Sequence, residues 1–377
     1  MNSARSRVAL GARLVREHGK EISPARAAAA ATAGRRWAST EAPKTSAASS
    51  GPRITAAPAP PHKNITLHSL ATKVRKGQPI SMVTAYDYPS AVHVDKAGID
   101  ILLVGDSLGM VELGFDTTLP VTLDDMIHHG KAVARGCRRP LLVIDLPFGT
   151  FETSPQQAAQ SAIRVMKETN FDAVKVEGGR QRLPNIEAIL DCGIACMGHI
   201  GLTPQSYSSL GGFKAQGRTA AAAYELIKDA EALQETGCFA LVIECVPAAV
   251  ADQVAKAVDI PVIGIGAGPH TDGQVLVFHD MLGMMQHYHH AEFTPLFCKQ
   301  YATVGHTIQN GLADYKRDVE ERRFPSMEYS PYKISDAELA TFMDMVASHN
   351  ETKQRLASDG QVKSAADDID NENIKVY

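Results

Sequence analysis

Six side chains of the 377-residue sequence have the types and spacing to do chemistry together. In the apolar stretch FDAVKVEGG (171–179), Lys175 and Glu177 stand two residues apart. On a strand they share one face, and Val174 and Val176 take the other. Asp106 follows the run ILLVG, Asp145 closes LLVID, His199 lies within ACMGHIGL and Glu244 closes ALVIE. Burying several carboxylates is costly unless a cation or hydrogen bonds compensate. Asp106, Asp145 and Glu177 are hard oxygen ligands, and a divalent hard cation, Mg²⁺, would offset their repulsion. Mg²⁺ takes only one or two protein carboxylates directly, so one of the three is expected to act through water. Glu244 is the candidate general base, and His199 a candidate substrate-side hydrogen-bonding group. Lys175 reads as an anchor for the anionic end of a substrate that chelates the metal through a carboxylate and an adjacent carbonyl. A Schiff-base lysine is the competing reading, and an ion pair with Glu177 or Asp145 the structural one. Any one of these acids alone also reads as a strand-end cap or an ion pair. Their recurrence on four segments is what points to a site.

Eight runs supply the strands to position them. From residue 80 the chain repeats ISMVTAYD, ILLVGDS, LLVIDLP, AVKVEGG, ACMGHIGL, ALVIECV, PVIGIGAG and, with the weakest pattern, QVLVFHD. Helical segments lie between them. TLDDMIHHGKAVARG opens at Thr122 as N-cap and ends at Gly136. SPQQAAQSAIRVMKET has Ser154 as N-cap and Pro155 at the first helical position. TAAAAYELIKDAEALQETG is amphipathic and ends at Gly237. Eight strands alternating with helices over about 200–250 residues predict an α/β fold, a (β/α)8 TIM barrel. An open doubly wound sheet is the alternative arrangement of the same elements. In the barrel, active sites lie at the C-terminal strand ends, which is where Asp106, Asp145, Lys175, Glu177, His199 and Glu244 fall. A further helix is expected from Thr294 to about Phe324, on a face suited to a neighbouring subunit.

Composition bounds the rest. A net charge of −4 gives no reason to expect nucleic acid as a partner, and no run of about 18 or more apolar residues predicts a membrane span. Six cysteines are scattered without a CxxC pair and read as reduced thiols. Residues 1–40 hold eight basic and two acidic residues, a net +6 that leaves −10 on the remainder. Arginine-rich, alanine-rich and poor in acids is the composition of a mitochondrial presequence, expected over 1–37 with GRRWAST as the processing region. Residues 38–62 read as a disordered Pro/Ala/Ser-rich linker, 63–330 as the catalytic barrel with its C-terminal helix, and 331–377 as an extension, disordered in its acidic part SAADDIDNEN. GIGAG (264–268) lets backbone approach a ligand but lacks the continuation of a dinucleotide fingerprint. HYHH (287–290) lacks metal-ligand spacing and reads as a surface loop, and the adjacent His128 and His129 cannot both face one site.

The same segments resemble the ketopantoate hydroxymethyltransferase (3-methyl-2-oxobutanoate hydroxymethyltransferase) family in its eukaryotic mitochondrial form. TAYDYPSA, VGDSLGM, TLPVTLDDM, DLPFG, KVEGG, GHIGLTPQS, GGFKAQGR, ECVP and IPVIGIGAG…TDGQ carry the resemblance, in one order, from about residue 64 to about 330. It implies a barrel of the phosphoenolpyruvate/pyruvate type and transfer of a one-carbon unit from 5,10-methylenetetrahydrofolate to 3-methyl-2-oxobutanoate, giving 2-dehydropantoate. It implies that Asp106, Asp145 and Glu177 hold Mg²⁺, the first two lying also against the keto acid. By the same resemblance Ser107 and Lys175 hold the substrate carboxylate, His199 lies on the substrate side, and Glu244 accepts the proton. It further implies a homo-oligomer, and with the presequence a mitochondrial matrix location. A Mg²⁺-dependent 2-oxo-acid lyase or mutase is the alternative within the barrel class, and a catalytically silent barrel scaffold the alternative outside it. The loop SSLGGFKAQGR is expected at the barrel mouth, with Lys214 and Arg218 meeting the anionic glutamate tail of the folate.

Overall fold

The computed structural model of the chain describes residues 64–285 and 295–358. Eight parallel strands close into a barrel in sequence order. They are β1 (Ile80–Thr84), β2 (Ile101–Val104), β3 (Leu141–Asp145), β4 (Ala173–Glu177), β5 (Ala195–Gly201), β6 (Ala240–Glu244), β7 (Val262–Ile265) and β8 (Gly273–Leu276). All eight expected runs are strands, and β8 pairs with β1 to seal the barrel. A parallel barrel buries both faces of each strand, which is why its strands read as continuous apolar runs rather than alternating ones.

Strand parity separates two cores. Leu142, Ile144, Val174, Val176, Cys196, Leu241 and Ile243 pack outward against the helices. Ile101, Leu103, Leu141, Val143, Ala173, Met197, Ala240 and Val242 fill the barrel interior. The inward parity continues upward from Val143 to Asp145, from Ala173 to Lys175 and Glu177, from Met197 to His199, and from Val242 to Glu244. The barrel is therefore apolar at its N-terminal end and polar at its C-terminal end on the same set of positions.

Helix α1 (Leu67–Arg75) closes the N-terminal end, and its Leu70 belongs to the interior core. Lys73 of α1 meets Asp100 at 2.7 Å, and Asp100 also accepts from the Ser81 N–H and hydroxyl at 2.9 Å each. Around the barrel run α2 (Tyr88–Ala97), α3 (Leu123–Gly136), α4 (Pro155–Thr169), α5 (Leu183–Asp191), α6 (Ala220–Thr236) and α7 (Ala248–Ala257). The caps are those the sequence marks. Thr122 accepts from the Asp125 N–H, Ser154 from the Gln157 N–H with Pro155 next, and Thr219 from the Ala222 N–H, while Gly237 ends α6 in the left-handed conformation.

Two expectations are corrected. The helix expected from Thr294 is α8, Val304–Glu320. The preceding backbone spends its N–H groups on the loop after β8 instead, with Tyr301 donating to the Met281 carbonyl and Val304 to that of Leu282. QVLVFHD is a strand only to Leu276, and Phe278–Met281 forms a helical turn. Past the family-like region lies α9 (Asp336–Ser358), which the sequence reading did not mark. Residues 1–63, HYHH and SAADDIDNEN lie outside the described residues.

Candidate active site

β3, β4, β5 and β6 deliver the site. Register sets Asp145 beside Lys175, Glu177 beside His199, and Gly201 beside Glu244. Lys175 Nζ lies 3.0 Å from Asp145 Oδ1 and 3.1 Å from His199 Nδ1. His199 Nε2 lies 3.2 Å from Glu244 Oε2, and Nδ1 lies 3.5 Å from Glu177 Oε1. The residues thus form one continuous polar chain across four strands. Of the two structural partners open to Lys175, Asp145 on the neighbouring strand is the one in contact, because residues two apart on one strand project in parallel.

Asp106 is not on β2, which ends at Val104. It sits in the turn after Gly105 and is fixed by its own N–H donating to Asp145 Oδ2 at 3.1 Å. Ser107 follows, and its hydroxyl is 2.8 Å from that of the fully buried Tyr86. Glu244 is placed by backbone contact. Gly201 takes φ +88 with no room for a side chain against the Glu244 carbonyl, and Leu202 donates its N–H to that carbonyl at 2.8 Å. Cys245, next in line, holds a left-handed φ of 51 that a non-glycine residue adopts only at a cost.

Sequence reading by titratable groups missed Gln205. Its side-chain N–H groups donate to Asp106 Oδ2 at 2.8 Å and to the Leu146 carbonyl at 2.9 Å. Its backbone N–H donates to Glu177 Oε2 at 3.0 Å. One residue, by its side-chain amide and its backbone N–H, therefore ties two of the three acids together. Its place in GHIGLTPQS was on the page, but an amide does not advertise itself by charge. Tyr86, in TAYDYPSA, was missed for the same reason.

Electrostatics follow from burial. Asp106, Asp145, Lys175, Glu177 and His199 are all buried. Burial, then Glu177 and Asp145, push the Asp106 carboxyl well above the usual carboxylate range. Burial also raises Asp145, against the pull of Lys175. Burial alone would lower Lys175, but Asp145, Glu177 and Asp106 outweigh it and hold its pKa above the ordinary lysine value. A Schiff-base lysine needs the opposite shift. For Glu177, burial opposes ionisation while His199, Lys175 and the Gln205 N–H keep the carboxyl below its ordinary value. Burial and the Lys175 charge pull His199 down, and Glu177 and Glu244 hold it up to about 9. That value describes a doubly protonated ring, yet an ammonium 3.1 Å from Nδ1 needs a lone pair there. Nδ1 also lies 3.5 Å from Glu177 Oε1, so Lys175 and Glu177 compete for it, and the protonation of the ring sets which of the two it serves.

The acids have the donor chemistry of a divalent-cation site. Three hard carboxylates lie in a buried cluster, and Asp106 resists ionising beside its two neighbours. Among the described residues no group of three or more His, Cys, Asp or Glu side chains is arranged to hold a metal ion. Mg²⁺ takes only one or two protein carboxylates directly and completes its shell with water and substrate oxygens, so the case for it rests on the chemistry of the donors. No helix among the described residues is long and apolar enough to cross a membrane. The described cysteines are free, and burial pushes the Cys245 thiol up to about 12, so it is no nucleophile.

Fold and site define a class: a (β/α)8 barrel whose C-terminal mouth holds a buried acid–lysine–histidine chain. The family model described as ketopantoate hydroxymethyltransferase matches residues 64–327, and the chain belongs to that family. It is 54% identical over 310 residues to the 3-methyl-2-oxobutanoate hydroxymethyltransferase 1, mitochondrial, of Arabidopsis thaliana, covering 82% of this chain and 87% of that one. It is 51% identical over 268 residues to the 3-methyl-2-oxobutanoate hydroxymethyltransferase of Heliobacterium modesticaldum, covering 71% and 95%. Among solved structures, it is similar to 2,3-dimethylmalate lyase, described as a PEP mutase/isocitrate lyase superfamily member, at a TM-score of 0.40 and 14% identity over 77% of this chain and 98% of that one.

Proposed function

We propose that this chain transfers a hydroxymethyl group from 5,10-methylenetetrahydrofolate to 3-methyl-2-oxobutanoate, giving 2-dehydropantoate and tetrahydrofolate on the route to pantothenate and coenzyme A. The observation that carries the reading is the unbroken chain Asp145–Lys175–His199–Glu244 at the barrel mouth of a member of this family. Family membership favours it over a lyase or mutase of the same barrel class.

Lys175, kept cationic by Asp145, holds the substrate carboxylate with Ser107. Asp106, Asp145 and Glu177 would hold Mg²⁺. When bound, the ion supplies Lewis-acid stabilisation of the charge that develops on the keto oxygen. Glu244 takes the proton from C3. Its side chain is 15% exposed, so it reaches the substrate space while staying beside His199. The His199 ring, with Nε2 3.2 Å from Oε2, lies beside that carboxylate and limits where it can swing. The carbanionic C3 forms a bond to the methylene carbon as one of its two carbon–nitrogen bonds breaks, that nitrogen taking the electrons and the proton Glu244 removed; water then displaces the second nitrogen, its hydroxyl joining the carbon and its other proton going to that nitrogen. We further assign the protein to the mitochondrial matrix, on the presequence composition and the mitochondrial names of the plant relatives.

Proton NMR of 3-methyl-2-oxobutanoate in D₂O tests this. Protein with Mg²⁺ should erase the C3 proton signal and EDTA should prevent it. Tetrahydrofolate and formaldehyde added to the same tube should then give 2-dehydropantoate. Silence in both stages overturns the reading.

A further inference from the structure

A cavity of about 210 Å³ lies against the acid cluster, with Glu177 and Gln205 in its wall. Whatever occupies it touches the reacting end of the barrel. Drug-sized ligands fill about 300–1,000 Å³, so this space takes one ring system and not a whole folate. The rest of its wall is specific. Phe148, on the loop between β3 and α4, is 47% exposed beside Gly149 at φ +84, which turns the chain there. Glu152, on the same loop, has Oε2 held by the Gly149 N–H at 2.8 Å and the Phe151 N–H at 3.1 Å. Those bonds fix the carboxylate, and no described residue bonds its Oε1. Arg182 lies 5.7 Å over the Phe151 ring. Arg182 Nε and Gln205 Oε1 are both buried with no hydrogen-bond partner among the described residues.

Buried polar atoms are almost always paired, and an exception asks for an explanation. Here residues able to donate (Arg182), to accept (Glu152, Gln205) and to stack (Phe148) line one space. A flat heterocycle that offers amino and ring N–H donors at one edge and a carbonyl beside them satisfies all four. The 2-amino-4-oxopteridine head of a reduced folate is such a ring.

We infer that this cavity is the donor subsite and seats the pteridine head: Glu152 accepts from its amino edge, Arg182 donates to its carbonyl, and Phe148 covers its face. This rests on the proposed use of methylenetetrahydrofolate. Ser208 and Ser209, which also line the cavity, belong to the same SSLGGFKAQGR segment as Lys214 and Arg218, which are exposed. The glutamate tail leaves along that loop, past its two cations.

The test is steady-state kinetics of the full-length protein with both substrates varied, together with equilibrium dialysis of tetrahydrofolate. Glu152→Gln keeps an oxygen for the two loop N–H groups but sets an NH₂ against the amino edge. It should raise KM for the folate at least about tenfold, with a smaller change in KM for the keto acid. Phe148→Ala removes a half-exposed ring, so it leaves the fold intact and serves as the second variant. It should raise the folate KM several-fold and weaken dialysis binding in parallel. If both variants bind tetrahydrofolate as wild type does while wild type makes 2-dehydropantoate, the subsite is wrong and the function stands. A wild-type protein that makes none overturns both.

Discussion

Glu244 and Glu177 both lie beside His199, yet their surroundings divide their work. Glu177 is buried and accepts from the Gln205 backbone N–H, so it is fixed. Glu244 is partly open and has the His199 ring as its neighbour. Glu244→Gln should slow C3 proton exchange by about 10²- to 10⁴-fold, the usual worth of a positioned base, while KM for the keto acid stays within a few-fold. Exchange at the native rate would assign the base elsewhere. Glu177→Gln should instead weaken Mg²⁺ binding and activity together, read by titrating activity against Mg²⁺. A normal Mg²⁺ dependence in that variant removes it from the ligand set. These carboxylates were legible because a charge inside an apolar run is conspicuous. Gln205 was not, since its importance comes from which acids it bridges, and only the fold brings residues 205, 177 and 106 together.

At the scale of elements, caps and apolar runs were legible because they are local. Thr122, Ser154 and Gly237 act on their own helices, and strands buried on both faces cannot hide. What could not be read was contact between distant elements, such as the bond from Gln205 to Asp106 or the way α1 closes the barrel. Asp100 shows what such a contact is worth. It accepts from Lys73 on α1 and twice from Ser81 on β1. Asp100→Ala leaves the Ser81 N–H unpaired and should cost about 2–3 kcal/mol, measured by urea unfolding at neutral pH. Burial raises this carboxyl, but Lys73 and Ser81 outweigh it and set its pKa below the ordinary 3.8. A depressed folded-state pKa gives stability that is present above the unfolded value and lost as pH falls through the folded one. The gap between wild type and Asp100→Ala should therefore be full at neutral pH and begin to narrow as pH drops below about 3.8. A gap independent of pH would show that packing, not the ion pair, holds α1 in place.

At the scale of the whole molecule, α8 presents an apolar stripe that the described residues leave open. Ile308, Leu312, Tyr315 and Val319 recur at spacings of four, three and four, which places them on one helical face, and they are 46%, 63%, 57% and 45% exposed. Scattered surface hydrophobics need no explanation, but an aligned set of large ones marks an interaction face. The occupant we assign is a second copy of the chain, because a single stripe of this kind is self-complementary about a two-fold axis. One helical stripe is short of the roughly 1,000 Å² that a stable interface buries. The exposed Phe342, Met343 and Met345 of α9 are the further apolar surface available to extend it. Sedimentation velocity should find wild type well above the 40.5 kDa of one chain. Leu312→Glu combined with Tyr315→Glu places charges at the centre of the stripe, where burial without a partner is prohibitive, and should shift the protein to the smaller species. Because α8 lies outside the eight strands and their polar mouth, the dissociated variant should still exchange the C3 proton of the keto acid. A wild type that sediments as one chain, or a double variant that assembles normally, removes α8 from the interface.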